Sequence, residues 1–403
     1  MLFQEKRSLL NNISRKPISI ENMKLSMLGS SACFDSDICY IRGFQRQGVE
    51  LQYFFRMNGR INPLFKLQKK YPIGVIPATE IEEMQIYKNY IDLRSVFLIN
   101  APGLQFRSPR LLWLYLKVMR KIMNFNPDVV HHTWPWTRTP AITYLLLKKK
   151  SMLVHDPLPH SSHDDIIQEK YRKFGFKMAD KLILLNDKTT EEFCQRYNVS
   201  SSKIAYTQLC VFDYLDYVPS IPPNETRKYL LFFGQIASYK GLDLLLEAMK
   251  QVHSVHPDWK LIVAGGGKMY FDISEYQNQD YIEFRNRFID IPELVGLIRN
   301  CEFAVAPYRD ATQSGILNNA LSLNKPMIVT DVGNFTDLVH DGVTGYVVPP
   351  GNVEELTAAI NKLIEHPDVR RRMSESIVTE WRDSINNDTI AVNLLKEIKM
   401  LVE

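Results

Sequence analysis

Between Tyr229 and Thr330, short apolar runs and amphipathic stretches take turns without a break, and this alternation constrains the fold more than any other feature. Tyr229-Leu-Leu-Phe-Phe reads as a strand, Leu242 to Val255 as a helix, and Leu261-Ile-Val-Ala-Gly as a strand running into Gly265-Gly266-Gly267. Tyr281-Ile-Glu-Phe, a helix from Ile291 to Arg299, a strand from Phe303 to Ala306, a helix from Ser314 to Leu323 and a strand from Met327 to Thr330 follow in order. Strands separated by helices predict a parallel, doubly wound α/β sheet. Asp341-Gly342 and Thr344-Gly345 mark tight turns, and Asn352-x-x-Glu355 caps a helix running towards Glu365.

The first half repeats this logic with weaker contrast. Lys24 to Leu28 leads into Gly29-Ser30-Ser31, a helical segment extends to Gly48, and Val49 to Phe55 is a candidate strand. Asp128-Val-Val-His-His, Met152-Leu-Val-His155 and Lys181-Leu-Ile-Leu-Leu185 read as further strands of a second parallel sheet. Between the halves, Val218-Pro-Ser-Ile-Pro-Pro-Asn-Glu holds three prolines and suits a linker. The 403 residues are enough for two cores. The expected units are residues 1–220 with an unassigned extension over 1–23, residues 221–382, and a helical tail over 383–403. Ligands of such sheets bind beyond the carboxyl ends of the strands, so two such domains would enclose a cleft.

A hydrophobic content of 45% with 23% charged residues is that of an ordinary globular protein. The five cysteines are scattered, with no C-x-x-C pair and no zinc-like spacing, which fits a reducing cytoplasm. No apolar run approaches the roughly 18 residues needed to span a bilayer, and the N-terminus lacks a secretory pattern. The net charge of +4 hides an asymmetry: residues 1–220 carry 31 Lys and Arg against 20 Asp and Glu, while residues 221–403 carry 18 against 25. A basic N-terminal half fits either an anionic surface or a solvated basic face. Within it, the stretch from Phe106 to Met123 is apolar and basic. It reads as a helix packed on the sheet, with Trp113 and Tyr115 of the kind that also seat at a membrane interface.

Two segments are built to hold an anion. The loop after Phe303-Ala-Val-Ala-Pro opens a helix at Ser314-Gly315-Ile316, whose first amides have no internal partner and sit at the positive end of the helix dipole. Likewise Gly234 ends a strand and Lys240-Gly241 opens a helix, placing a point charge where a diphosphate could lie, or merely a surface lysine near a helix start. Other polar groupings carry less. Asp35-Ser36-Asp37 has the D-x-D spacing of some metal sites, but nothing nearby adds a ligand. His131 and His132 point to opposite faces of a strand, so one of them lining the cleft is favoured over a shared metal. Trp134 and Trp136 could stack on a sugar ring or fill the core.

In this order, F-F-G-x-x-x-x-x-K-G-L-D-L-L-L-E-A, A-G-G-G, P-Y-R-D-A-T-Q-S-G-I-L, K-P-M-I-V-T-D-V-G and D-G-V-T-G-Y-V-V-P-P-G-N resemble the C-terminal half of the retaining GT-B glycosyltransferases of the large family four. In the first half only Gln47-Gly48-Val49-Glu50, Pro127-Asp128-Val-Val-His131 and Val154-His155-Asp156-Pro157 match short pieces. The resemblance implies two Rossmann-like domains and transfer of a sugar from a UDP- or GDP-sugar to a glycan or lipid-linked acceptor, without a cofactor or metal, in cell-surface polysaccharide biosynthesis. The cysteine usage points to a cytoplasmic protein; the basic N-terminal half would allow peripheral contact with the anionic inner face of the cell membrane, or be a solvated face, and no nucleic-acid partner is expected.

The resemblance assigns donor binding to Gly234, Gln235, Lys240, Gly265, Gly266, Phe288, Thr312, Gln313, Ser314, Gly315, Ile316 and Asn319. Catalytic roles fall on His155, Lys240 and Asp310, and the acceptor side on Ser30, Ser31, His132 and Trp134. His155 would orient donor or acceptor, or else be satisfied in its loop by Asp156. Two departures stand out. Gln235 occupies a position where the family usually has arginine, and the family's paired glutamates fall on Ala311, next to Asp310, and on Asn319. These departures keep a catalytically silent GT-B partner protein in play, ahead of a nucleotide-sugar epimerase of similar fold.

Overall fold

The computed structural model describes residues 22–57, 67–136, 138–155, 157–158, 166–311, 315–382 and 385–403. Two α/β units follow one another along the chain. The first contains β1 (Lys24–Ser30), α1 (Phe34–Arg46), β2 (Glu50–Arg56), β3 (Gly74–Pro77), β4 (Val96–Asn100), α2 (Pro109–Phe125) and β5 (Val129–His132). It continues through β6 (Lys149–Val154), α3 (Ile166–Met178), β7 (Lys181–Leu184), α4 (Thr190–Tyr197) and β8 (Ile204–Tyr206). These eight strands form one sheet in the order β3-β4-β2-β1-β5-β6-β7-β8. All its pairings are parallel except β3 on β4, where Gly74 faces Asn100 and Pro77 faces Phe97. The expectation of a wholly parallel sheet is therefore corrected at one edge, where a proline-ended strand terminates the ladder.

The second unit contains β9 (Tyr229–Phe233), α5 (Leu242–Val255), β10 (Lys260–Ala264), β11 (Ile282–Arg285), α6 (Ile291–Asn300), β12 (Phe303–Ala306) and α7 (Gly315–Ser322). β13 (Met327–Thr330), α8 (Phe335–Leu338), β14 (Gly345–Val348), α9 (Val353–Glu365), α10 (Pro367–Ser376) and α11 (Asn387–Lys399) complete it. Its six strands are all parallel, in the order β11-β10-β9-β12-β13-β14. The central strands β9 and β12 are buried along their whole length, which is why they read as unbroken apolar runs rather than alternating ones. Gly345 proves to be the first residue of β14 rather than part of a turn. A Cβ there would lie 2.1 Å from the Met327 carbonyl oxygen, so only glycine lets the two strands approach.

In both sheets the chain reverses its direction of growth midway, at β9/β12 in one and at β1/β5 in the other. The loops leaving the carboxyl ends of these four strands diverge and leave a crevice, the usual ligand position in open α/β sheets. Contacts between the units hold the crevices in a fixed relation. Ser322 Oγ accepts from the Phe212 amide at 2.9 Å, Lys188 pairs with Asp337 at 2.5 Å, and α11 packs on α1, where a Cβ on Gly43 would lie 2.3 Å from that of Ala391. The proline-rich segment is pinned as well: the Ile221 amide donates to the Pro292 carbonyl at 2.9 Å.

Candidate functional site

The wall of the crevice in the second unit is built from glycine turns and one lysine. Gly234 leaves β9 with φ +96°, a conformation that suits a residue without a Cβ. Gly265 leaves β10 with φ +151°, and a Cβ there would collide with the Gly234 carbonyl oxygen at 1.9 Å. The two strand ends therefore lie backbone on backbone, tied by the Gly234 amide to the Ala264 carbonyl at 3.0 Å and the Ile236 amide to the Gly266 carbonyl at 3.1 Å. Gly266 in turn abuts the backbone of Arg287 and Phe288. Gly241, with φ +67°, begins α5 only 2.0 Å, measured from its would-be Cβ, from the Pro307 carbonyl oxygen of the loop after β12. That loop is locked to α5 by Arg309, whose guanidinium holds both carboxylate oxygens of Asp243 at 2.8 and 2.5 Å.

Lys240 sits inside this frame. Its side chain is only 6% exposed, and its Nζ lies 3.1 Å from the position a Gly234 Cβ would take, with Ile316 Cγ2 of α7 3.2 Å from the same point. The ammonium faces the Tyr308 ring at 5.1 Å, but among the described residues it has neither a hydrogen-bond acceptor nor an ion-pair partner. Burial alone pulls its pKa down to about 8. A lysine left charged at neutral pH in a nearly closed pocket without a counter-ion is a costly arrangement. A bound anion would remove that cost. Gly315 and Ile316 open α7 directly beside it, adding the positive end of a helix to the same spot.

The remaining candidates are less uniform. Thr312, Gln313 and Ser314 lie outside the described residues, as does Asp156. Gln235 is exposed, Asp310 is exposed, and Phe288 is half-buried beside Gly266. Asn319 is 4% exposed and turned inward: its amide nitrogen donates to the Gly315 carbonyl at 3.0 Å, while its Oδ1 has no donor among the described residues.

On the opposing wall, Ser30 at the end of β1 and Ser31 just after it are buried, and Ser30 Oγ accepts from the Ala32 amide at 3.3 Å. His155 is half-buried just past β6. His132 is fully buried, its ring 4.8 Å from that of Tyr144, so the structure puts it in the core rather than on an open surface. His131 is equally buried and shares a 2.8 Å hydrogen bond with Ser151 Oγ. Burial drives both imidazoles down to about 3, which keeps them neutral. Trp134 is half-buried against the core cluster of the first unit.

Sequence reasoning passed over one feature of this wall. Asp35 and Asp37 open α1, and burial raises their carboxyls to about 6 and about 7. Tyr53 and Thr133 both donate to Asp37 Oδ2, at 2.6 and 2.7 Å, in space that exists because residue 29 is glycine. Asp35 Oδ2 reaches across to α7, 4.0 Å from where a Gly315 Cβ would be. The D-x-D spacing was the available signal, but sequence could not show that Asp35 looks across the crevice while Asp37 is bound inward.

Residues 216–378 match the model of the family described as glycosyl transferases group 1. Over 334 residues the chain is 25% identical to an uncharacterised glycosyltransferase of Methanocaldococcus jannaschii, covering 78% of this chain and 86% of that protein. The fold is similar to that of Anabaena HepE solved with UDP and glucose, with a TM-score of 0.68, 14% identity, and coverage of 94% of this chain and 100% of that one. A putative UDP-N-acetylglucosamine 2-epimerase from Listeria monocytogenes is also similar, with a TM-score of 0.63, 13% identity, and coverage of 94% and 96%.

Proposed function

Starting from a chain that belongs to the glycosyl transferases group 1 family and has the GT-B fold, we propose that it moves a sugar from a UDP- or GDP-sugar to a glycan or lipid-linked acceptor, with retention of configuration. The carrying observation is Lys240: a buried ammonium, without an ion-pair partner among the described residues, beside Gly234 and the first turn of α7. The glycosyltransferase relative weighs against an epimerase, which the fold alone leaves open. The UDP bound by Anabaena HepE supports a uridine donor.

In this reading the diphosphate lies against Lys240 and the opening amides of α7. As the bond from the anomeric carbon to the diphosphate oxygen breaks, its electron pair leaves with the phosphate, and these preorganised donors stabilise the growing charge. The acceptor hydroxyl attacks the anomeric carbon from the same face and gives its proton to the departing phosphate oxygen. A ribose hydroxyl would satisfy the orphaned Asn319 Oδ1, so the missing glutamate does not forbid nucleotide binding. His155 sits past β6, where it would orient donor or acceptor. Charge stabilisation by the protein alone lets the reaction run without a metal.

A role in cell-surface polysaccharide assembly at the membrane is supported by α2. Leu111, Leu114, Tyr115, Val118 and Ile122 are buried against the sheet, while Leu112, Trp113, Leu116 and Met123 are exposed on the other side, Trp113 by 60%. Arg110, Lys117, Arg120 and Lys121 flank them, and none is ion-paired among the described residues. The two faces of α2 thus do different jobs, and Tyr115 belongs to the inner one. An apolar strip edged with unpaired cations suits an anionic bilayer.

Titration calorimetry with UDP, GDP and ADP tests the donor site. Binding of UDP or GDP that is lost in Lys240→Ala supports it. Failure of the wild-type chain to bind any of the three would instead favour a catalytically silent GT-B partner protein, the role left open by Ala311 and Asn319. Activity that persists in excess chelator supports the metal-free route.

A further inference from the structure

The two switch-point crevices meet at one pair of helix starts, α1 from the first unit and α7 from the second. Asp35 is the residue that spans them. Its Oδ1 is occupied by the Ser36 amide at 2.9 Å, but its Oδ2 has no donor among the described residues and lies 4.0 Å from the would-be Cβ of Gly315. Gly315 adjoins Ile316, which touches the point where Gly234 and the Lys240 ammonium converge. A donor-seeking carboxylate therefore stands at the start of α7, and an anion-seeking ammonium lies on the far side of the same turn. The buried Lys240, which has no hydrogen-bond or ion-pair partner among the described residues, is independent of the acidic pair and itself points to a ligand beside the first turn of α7.

We propose that Asp35 accepts a hydrogen bond from a hydroxyl of the sugar carried on the diphosphate, making the first unit part of the donor-sugar site rather than of the acceptor site alone. The assignment rests on the donor-site reading of Lys240. With the diphosphate on Lys240 and the first turn of α7, the attached ring has to project into the space between that turn and α1. Among the described residues, Asp35 Oδ2 is a carboxylate oxygen there with no internal donor, and a polyhydroxylated ring supplies donors. Among the described residues of the second unit nearby, Ala311 has no polar side chain and packs against the core, and Asp310 is exposed. Asp37 acts behind Asp35. Held by Tyr53 and Thr133, it fixes the first turn of α1 and the aim of the neighbouring carboxylate.

The test compares nucleotide with sugar nucleotide in calorimetry: UDP against UDP-glucose, and GDP against GDP-mannose in parallel, for the wild-type chain, Asp35→Asn and Asp35→Ala. Both variants should bind the bare nucleotide within twofold of wild type and lose about tenfold for the sugar nucleotide, with melting temperatures showing that they fold. Equal affinities across all three proteins for the sugar nucleotide, or the same loss for nucleotide and sugar nucleotide, overturn the assignment while leaving the Lys240 site standing. A loss seen only with magnesium present and absent in chelator also overturns it, because Asp35 would then be holding a cation between itself and the phosphates. If the wild-type chain binds neither nucleotide, the donor-site reading falls and the Asp35 assignment falls with it.

Discussion

The two walls of the crevice are made of different material. The wall from β9, β10 and β12 is mostly backbone: Gly234, Gly241 and Gly265 bring main chains within contact of one another, and Lys240 is the one buried charge among them. The wall from β1, β5 and β6 is mostly side chain: buried neutral histidines, a carboxyl held by a tyrosine and a threonine, and serines in a tight turn. A phosphate is the same in every nucleotide donor, so a fixed backbone cradle serves it. Sugars and acceptors vary, and side chains can vary with them.

The sharpest way to break this comparison is to remove the buried ammonium of the backbone wall. Lys240→Met should weaken nucleoside diphosphate binding by about 100-fold, since a charge-assisted contact in a nearly closed pocket contributes about 1.5–3 kcal/mol. It should also raise the melting temperature of the unliganded protein, because a buried cation with no partner among the described residues is replaced by an apolar chain of similar length. A drop in both would mean that the ammonium is structural. The pH dependence follows from the depressed pKa. Between about 8 and its ordinary 10.5, Lys240 is neutral when folded and charged when unfolded, so it makes the unliganded chain more stable as pH rises through that window. The anion needs the protonated form, so affinity should fall as pH climbs past about 8, and Lys240→Met should flatten that fall.

The outer face of the first unit should respond to a different ligand. With vesicles containing anionic lipid, Trp113→Ser combined with Leu116→Ser should reduce cosedimentation by about tenfold at low salt, and nucleotide affinity should not move. The exposure of both residues makes the double variant benign for folding. Raising the salt should release the wild-type protein too, because unpaired surface cations are screened within about 10 Å at 0.1 M. Equal sedimentation of variant and wild type would leave the apolar strip without a membrane role.

Smaller still is the effect expected at His132. Both ring nitrogens lack partners among the described residues, and the ring rests on Tyr144. His132→Phe should stabilise the protein by about 1–2 kcal/mol near neutral pH, by removing unsatisfied polar atoms while keeping an aromatic contact. A folded pKa of about 3 against an ordinary 6.5 means that the unfolded chain takes up protons first as pH falls through 6.5, so this histidine costs stability towards acid. The variant should therefore be less acid-sensitive by urea titration. A large loss of transferase activity with intact folding would instead return His132 to the acceptor site.

This difference in material also explains what could be read in advance. The second sheet was legible because its central strands are buried on both faces and its turns announce themselves by glycine, so Tyr229 to Thr330 could be parsed almost residue by residue. The short strands at 74–77, 96–100 and 204–206 were not, because runs of three to five residues are too short to show a period that tells strand from helix or loop. In the site, the partnership of Gly234 with Lys240 was visible as strand end and helix start. The approach of Asp35 to Gly315 was not, because it joins residues 280 positions apart on helices of two different units, and no local pattern encodes that. His132 misled for a related reason: strand alternation says that neighbouring side chains diverge, but not that both sides are closed.

Gln235 supplies the mildest test of the backbone wall. The resemblance puts an arginine here, which would add a second cation to the cradle, yet the residue is exposed, unlike Lys240 five positions on. Solvent screens a charge at such a place, and its contribution to an ionic contact is about 0.2–1 kcal/mol. Gln235→Arg should then tighten nucleoside diphosphate binding by no more than about fivefold, and the gain should vanish in high salt. If the gain instead rivals the loss in Lys240→Met, position 235 must fold inward on the ligand, and the diphosphate is held by the loop after β9 as much as by the lysine. If there is no gain at all, Lys240 and the start of α7 already saturate the phosphate charge, which is what a wall built from main chain and one buried ammonium predicts.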